Sequence, residues 1–278
     1  MMILAVEKTV IPVTASIILL YCALGSIVGI FAGLLGIGGG ALVVPMLIYA
    51  FGWQHFPPEF IVHMALGTSL ASIMFTALSS SWAHHRMGTV DWKIFASVTP
   101  GIMIGTYGGT FLAARLRGDY LQIAFACFLL YLVFTIFRNK LPRSDRVLPG
   151  LAGMSAAGIV VGVLSSLVGI GGGTLIIAFL AWHNVDMRKS ISTSAAVGFP
   201  LALSGCFGYI VNGWGIPELP AWSLGFVYLP AMVGIVAISM LTAPVGAWLS
   251  HKMPVLMLRK IFAVFLLAIA VKILTGLL

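Results

Sequence analysis

The chain has 278 residues, of which 60% are hydrophobic and only 8% are charged, and its mean hydropathy is +1.11. A soluble domain has roughly 45–50% apolar and about 25% charged residues, so this composition excludes a soluble globular protein and predicts an integral membrane protein. The formal net charge of +8 would suggest a nucleic-acid partner in a soluble protein. Here the charges lie in short loops between apolar segments, where they set membrane orientation, so we expect membrane lipid and no nucleic acid as a partner.

Ten apolar segments follow one another along the chain, separated by turn residues and charges. A hydrocarbon core of ~30 Å takes about 20 helical residues, so the second and the seventh segments are too short for a full crossing. We interpret the first segment as a membrane segment rather than a cleaved signal peptide. The predicted fold is therefore an all-α polytopic membrane protein. In chain order the segments are 12–35, 39–52, 60–83, 93–114, 119–138, 149–168, 172–183, 189–212, 222–250 and 254–277.

An internal repeat explains why the two short segments lie five segments apart. The sequence GLLGIGGG at 33–40 recurs as SLVGIGGG at 166–173, and further copies of shorter motifs follow at similar distances downstream. Two halves of about five segments each account for the whole chain. We predict a first membrane repeat at 1–140, a basic cytoplasmic linker at 141–148 and a second membrane repeat at 149–278.

The positive charges predict that the two repeats are inverted relative to each other. The positive-inside rule places the loops with more Lys and Arg in the cytoplasm, which puts both termini outside. Five segments per repeat is an odd number, so the second repeat enters the membrane from the other side. This parity holds whether segments 1–2 and 6–7 are re-entrant hairpins or full crossings, and both geometries stay open. The loops after segments 3, 5, 7 and 9 hold Arg86, Lys93, Arg138, Lys140, Arg143, Arg146, Arg188, Lys189, Lys252, Arg259 and Lys260, against Lys8, Arg115, Arg117 and Lys272 on the opposite side.

The two glycine motifs are the first candidate for a functional site. Glycine costs roughly 1 kcal/mol relative to alanine inside a helix, and broken backbone at membrane depth is tolerated only where protein buries it or where it lines a watery cavity. We therefore predict that the second and seventh segments are short half-helices opening at two unwound points. The first N–H groups of such a helix lack partners and bind anions without any Lys or Arg. The candidate substrate-binding residues are Gly36, Ile37, Gly38, Gly39 and Gly40 in the first motif and Gly169, Ile170, Gly171, Gly172 and Gly173 in the second.

The glycines also fit two other interpretations. Gly25, Gly29 and Gly33 recur every four residues, a spacing typical of close helix packing, and a single GIGGG would fit the same role. Two copies at matching positions favour a site. The spacing from Gly36 to Ala41 fits a dinucleotide fingerprint literally, but no βαβ unit surrounds it.

Hydroxyl side chains form a second candidate set near the glycine motifs. They can donate hydrogen bonds to an anion, or they can bond helix carbonyls and neighbouring helices. Ser165 and Ser166 replace Ala32 and Gly33 of the first repeat, so they would donate on one side only. The set consists of the matching pairs Thr68-Ser69 and Thr193-Ser194, with Ser165 and Ser166 before the second motif.

Ionisable and metal-binding side chains are scarce inside the segments. His63 alone falls within a spanning segment, where it is a candidate for proton coupling or an interfacial residue. Buried Asp or Glu residues are not evident, which argues against a metal cation as the transported species. The three cysteines stand singly, so no disulfide frame, metal site or cofactor is predicted. An HExxH motif or a Ser/His arrangement is also not evident in the segments, which argues against an intramembrane enzyme.

The two motif regions resemble the TauE/SafE sulfite-exporter family of membrane permeases. The resemblance rests on GIFAGLLGIGGGALVVPML at 29–47 and GVLSSLVGIGGGTLII at 162–177, with HMALGTSLASI and ISTSAAVGF downstream, and it covers essentially the full length. It implies a multi-pass transporter in a bacterial or archaeal plasma membrane. The implied substrates are sulfite or small organosulfur anions such as sulfonates, sulfoacetate or thiosulfate, moved outward and driven by the proton-motive force.

The resemblance carries a family anion site onto the two glycine motifs and onto Thr68-Ser69 and Thr193-Ser194. The second motif continues as IIAFL at 176–180 and lacks the proline that stands at Pro45 in the first, so the two breaks are not expected to be equivalent. A transporter or channel for another small anion or solute in the same architecture is the alternative.

Overall fold

A computed structural model describes residues 15–35, 39–138, 147–252 and 255–277. Gly36, Ile37 and Gly38 of the first motif, residues 1–14 and most of the predicted linker lie outside the described residues. The described part confirms the all-α class, since it consists of ten helices and one two-stranded hairpin. The elements are α1 (Ala15–Leu35), α2 (Gly40–Trp53), α3 (Ile61–Arg86), α4 (Trp92–Arg115), α5 (Gly118–Arg138), α6 (Leu151–Val168), α7 (Gly173–Trp182), α8 (Met187–Asn212), β1 (Ser223–Leu224), β2 (Val227–Tyr228), α9 (Leu229–Lys252) and α10 (Val255–Leu277).

The helix lengths follow the apolar segments of the sequence. Within the described ranges, α3, α5, α6 and α8 are long and apolar enough to cross a membrane. The predicted short segments are helices of 14 residues in α2 and 10 residues in α7. Carboxylates fix two of the helix starts, because Asp91 accepts hydrogen bonds from the first-turn amides of α4, and Asp186 does the same for α8.

The ninth segment differs from its prediction. The apolar run was expected to enter the membrane at residue 222, but α9 begins at Leu229, and the preceding residues form the β1–β2 hairpin. Gly225 turns this hairpin with a φ of 55°, and a Cβ there would lie 2.2 Å from the carbonyl oxygen of Ile210. A short apolar run fits a strand as well as a helix, so hydropathy alone did not separate the two.

The main helix pairs join one predicted repeat to the other. Helix α1 packs along α9, α4 packs along α6, α3 packs against α8, and α5 packs against α10. A two-fold relation between the repeats would exchange the first two pairs and map each of the last two onto itself. The packing is therefore the pattern that such a relation produces, while the repeat boundaries and the inverted membrane orientation stay predictions.

Glycines allow the close approach in the two exchanged pairs. A Cβ at Gly105 in α4 would lie 2.2 Å from the carbonyl oxygen of Ile159 in α6. A Cβ at Gly29 in α1 would lie 2.7 Å from the carbonyl oxygen of Ser239 in α9, and Gly25 meets Ile235 in the same way. The packing interpretation of Gly25 and Gly29 is thus confirmed.

Candidate anion site

The second glycine motif breaks the chain between α6 and α7. Helix α6 ends at Val168, and Gly169 and Gly172 take left-handed backbone conformations with φ of 67° and 65°. Residues with side chains rarely adopt such angles, which is why glycine stands at both positions. Gly172 is the N-cap of α7 and no side chain caps this helix, so the positive end of its dipole carries uncapped first-turn amides.

Helix α2 begins in the same way as α7, and its start contacts the second motif. Gly39 is the N-cap of α2 with a φ of 71°, again without a capping side chain. A Cβ at Gly40 would lie 3.2 Å from both the carbonyl oxygen of Gly169 and the Cα of Ile170. The structure therefore brings the start of α2 against the second motif.

The carbonyl oxygens around the second break already accept hydrogen bonds from the protein. The Ser69 hydroxyl of α3 donates to Gly169 at 2.8 Å, and the Ser194 hydroxyl of α8 donates to Gly173 at 2.8 Å. Tyr209 donates to the carbonyl of Ser166 at 2.8 Å. Backbone amides occupy the carbonyls of Ser165, Ile170 and Gly172. Six carbonyl oxygens of this region thus accept hydrogen bonds from within the protein.

Two buried hydroxyls beside the same break have no hydrogen-bond partner among the described residues. They are the Oγ of Ser165, which is 1% exposed, and the Oγ1 of Thr174 in the first turn of α7. A Cβ at Gly172 would lie 3.0 Å from the Ser165 Oγ, so this hydroxyl lies at the N-cap. Leaving a buried hydroxyl unbonded costs about 1–3 kcal/mol. Both hydroxyls are therefore available to an acceptor from outside the chain.

The two hydroxyls lie in a narrow cleft that leaves no room for a water molecule in this conformation. Its remaining side chains are apolar and come from α5, α6 and α7 and from the break itself. Thr174 was not among the predicted site residues, because a threonine after the motif fits an ordinary first-turn position; its counterpart Ala41 in the first repeat was the available signal. The cleft is lined by Phe128, Leu164, Ser165, Val168, Ile170, Gly172, Thr174 and Leu175.

Thr68 and Thr193 lie in a different setting from Ser69 and Ser194. The Thr68 hydroxyl of α3 accepts from the amide of Tyr228, the residue directly before α9, at 2.9 Å. The Thr193 hydroxyl of α8 accepts from the amide of Asp91, the residue directly before α4, at 3.0 Å. Each threonine thus binds the residue that precedes the fourth helix of the other predicted repeat. Ligand contact by any of these hydroxyls stays a prediction.

Ser166 and His63 make their contacts elsewhere. The Ser166 hydroxyl donates to the Val163 carbonyl in its own helix at 2.8 Å. The Nε2 atom of His63 lies 3.1 Å from the carbonyl oxygens of both Ala113 and Leu116, so this nitrogen carries the proton and donates to the C-terminal end of α4. The role of His63 in proton coupling is not tested by these contacts.

The described residues offer no arrangement suited to a metal ion. Within the four described ranges, no group of three or more His, Cys, Asp or Glu side chains is placed to hold one. The cysteines Cys22, Cys127 and Cys206 are free thiols. The polar chemistry near the breaks therefore comes from backbone amides and hydroxyls.

Comparison with known proteins places these features among membrane transporters. The sequence profile of the family described as "Sulfite exporter TauE/SafE" matches residues 21–273. A "Probable membrane transporter protein" of Haemophilus influenzae is 38% identical over 256 residues, covering 91% of this chain and 97% of the relative. The "Probable membrane transporter protein YdhB" of Bacillus subtilis is 31% identical, covering 86% and 92%. The "Probable membrane transporter protein MJ0441" of Methanocaldococcus jannaschii is 31% identical, covering 74% and 76%. No solved structure matches the chain.

Proposed function

The chain belongs to the sulfite exporter TauE/SafE family and is a multi-pass membrane transporter, and on this premise we propose that it exports small sulfur-containing oxyanions. The proposed substrates are sulfite, thiosulfate, sulfoacetate and other sulfonates. The proposed location is the plasma membrane of a bacterium or archaeon, with both termini outside. The proposed binding region is the junction of the two glycine motifs.

The excess of hydrogen-bond donors at the second break carries this proposal. Six carbonyl oxygens near the start of α7 accept internal hydrogen bonds, while the first-turn amides are uncapped, and Ser165 and Thr174 keep unpartnered hydroxyls. A ligand that satisfies these groups must offer acceptor atoms, and the positive end of the α7 dipole favours one with negative charge. A sulfur oxyanion has up to three acceptor oxygens around one centre, which suits donors that converge from a helix end and two side chains.

The same donor excess argues against a cation. A cation needs carbonyl or carboxylate oxygens, and six carbonyls at this break already accept internal hydrogen bonds. Another small anion in the same architecture is the alternative that these contacts leave open.

Transport needs release as well as binding, and the site supports both. Its positive potential comes from the α7 dipole, about half a charge, rather than from Lys or Arg, which keeps affinity modest. We propose alternating access by movement of one repeat against the other around the breaks, as in other transporters with inverted repeats. Export is proposed to be coupled to the proton-motive force, with His63 as the candidate proton carrier.

Flux in proteoliposomes tests the proposed function. We expect saturable transport of sulfite, thiosulfate and a sulfonate, faster when a pH gradient is imposed than when it is collapsed. The direction of export is read by loading the anion on one side only. Transport that does not saturate would indicate a channel, and an absence of flux for all three anions would contradict the proposal.

The two free hydroxyls give a site-specific prediction. We expect Ser165→Ala and Thr174→Val each to lower kcat/KM for sulfite transport about 10- to 150-fold, because each removes one hydrogen bond to a charged ligand, worth about 1.5–3 kcal/mol. Matched controls are Ser97→Ala and Thr135→Val, whose hydroxyls bond carbonyls of their own helices. If both Ser165→Ala and Thr174→Val transport sulfite at the wild-type rate, these hydroxyls do not bind the substrate.

A further inference from the structure

Ile73 is one of the bulky side chains at the contact between the start of α2 and the second motif, together with Val44 and Leu66. Ile73 of α3 is 3% exposed, and its Cδ1 lies 2.8 Å from the position that a Cβ on Gly40 would take. Its Cγ2 lies 3.0 Å from the corresponding position on Gly171. The Ile73 side chain thus touches the start of α2 and the second motif at once, and it fills the space between them.

The matching position in the second repeat has no side chain. Ile73 follows Thr68 by five residues, and the residue that follows Thr193 by five is Gly198. A Cβ on Gly198 would lie 3.5 Å from the Ala77 Cβ and 3.6 Å from the Gly171 carbonyl oxygen, which are ordinary contact distances. Gly171 therefore meets a large side chain from α3 and a bare backbone from α8.

We infer that Ile73 sets the size of the anion that passes between the two helix ends, with Gly198 leaving space on the opposite wall of this contact. This inference rests on the proposed function and adds a specificity-determining residue to it. An anion moving from one break to the other must fit beside the Ile73 side chain, so the wild-type protein favours a compact oxyanion over one that carries an alkyl substituent. The backbone amides bind the oxygen atoms of either anion, whereas the Ile73 side chain limits the size of the alkyl substituent.

Competition between a small and a larger anion tests this role. Flux of sulfite and of 1-propanesulfonate is measured in proteoliposomes for wild type, Ile73→Ala and Ile73→Val. Since one methylene changes discrimination in an apolar pocket by at least about tenfold, we expect Ile73→Ala to raise the propanesulfonate-to-sulfite ratio roughly tenfold or more, and Ile73→Val to raise it less. Gly198→Ala, which narrows the same contact, is expected to lower the ratio.

The controls separate size selection from packing and from the proposed function itself. Ile102→Ala removes an equally buried isoleucine from α4 and should leave the ratio unchanged. An unchanged propanesulfonate-to-sulfite ratio in both Ile73 variants would overturn the inference, and so would an equal loss of both fluxes. If Ile73→Ala does not fold, the ratio measured for Ile73→Val decides between the two outcomes. A wild-type protein that carries neither anion would instead contradict the proposed function.

Discussion

Replacing Gly172 by alanine will abolish anion transport while the protein stays folded. Gly172 has a φ of 65°, and an added methyl group would lie 2.5 Å from the Leu201 Cδ1 and 3.0 Å from the Ser165 Oγ. The left-handed conformation costs an alanine roughly 1–2 kcal/mol, which a folded protein tolerates. The methyl group also occupies the space at the Ser165 hydroxyl and displaces the first turn of α7. We expect sulfite flux in proteoliposomes to fall at least about 100-fold, which corresponds to about 2.7 kcal/mol.

Gly88→Ala is the matched control for this prediction. Gly88 has the same φ of 65°, but nothing lies within 4 Å of the position of its Cβ. The two variants therefore share the backbone strain and differ in the site. Equal transport by Gly172→Ala and Gly88→Ala, at equal amounts of folded protein in size-exclusion chromatography, would show that α7 does not begin at the substrate site.

Gly105→Ala is expected to destabilise the protein strongly. The added Cβ would lie 2.2 Å from the carbonyl oxygen and 2.7 Å from the Cα of Ile159, and backbone atoms of a neighbouring helix do not move aside as a flexible side chain does. Helices α4 and α6 would have to separate along their whole contact. Overpacking of this severity costs at least about 3 kcal/mol. We expect a large loss of monodisperse protein and a melting temperature well below that of the wild type in detergent.

Gly108→Ala in the same helix serves as the reference. Its Cβ would have nothing within 4 Å, and alanine is favoured over glycine inside a helix by roughly 1 kcal/mol. This variant should melt at or above the wild-type temperature. Similar melting of the two variants would mean that α4 and α6 do not pack as closely as the structure shows.

The features that sequence reasoning predicted are those encoded by local pattern. The short segments at 39–52 and 172–183 correspond to α2 and α7, and the glycines before them form left-handed N-caps at Gly39 and Gly172. A cluster of glycines within an apolar segment indicates either a break in the helix or close helix packing, so the positions of these glycines predicted where the helices begin. The four-residue spacing of Gly25 and Gly29 likewise predicted helix packing, which the α1–α9 contact confirms.

The features that it missed depend on contacts between distant residues. The sequence showed that Thr68 and Thr193 match, but only the structure shows that each accepts a hydrogen bond from the residue before the fourth helix of the other predicted repeat. Ser69 and Ser165 are both candidate donors in the sequence, yet one hydroxyl bonds the Gly169 carbonyl and the other is unpartnered. Hydrogen-bond partners a hundred residues apart leave no local pattern, so donor availability had to come from the structure.

The pairing of the helices also sets the order in which the protein is completed during synthesis. Helix α4 meets its glycine-packed partner α6 soon after it is made, because only α5 and a short connection separate them along the chain. Helix α1 is made first, but its partner α9 is almost the last to emerge, and domains generally assemble from the N-terminus as they are synthesised. The glycine face of α1 therefore has no α9 to pack against until the seven helices between them in the described chain have been made.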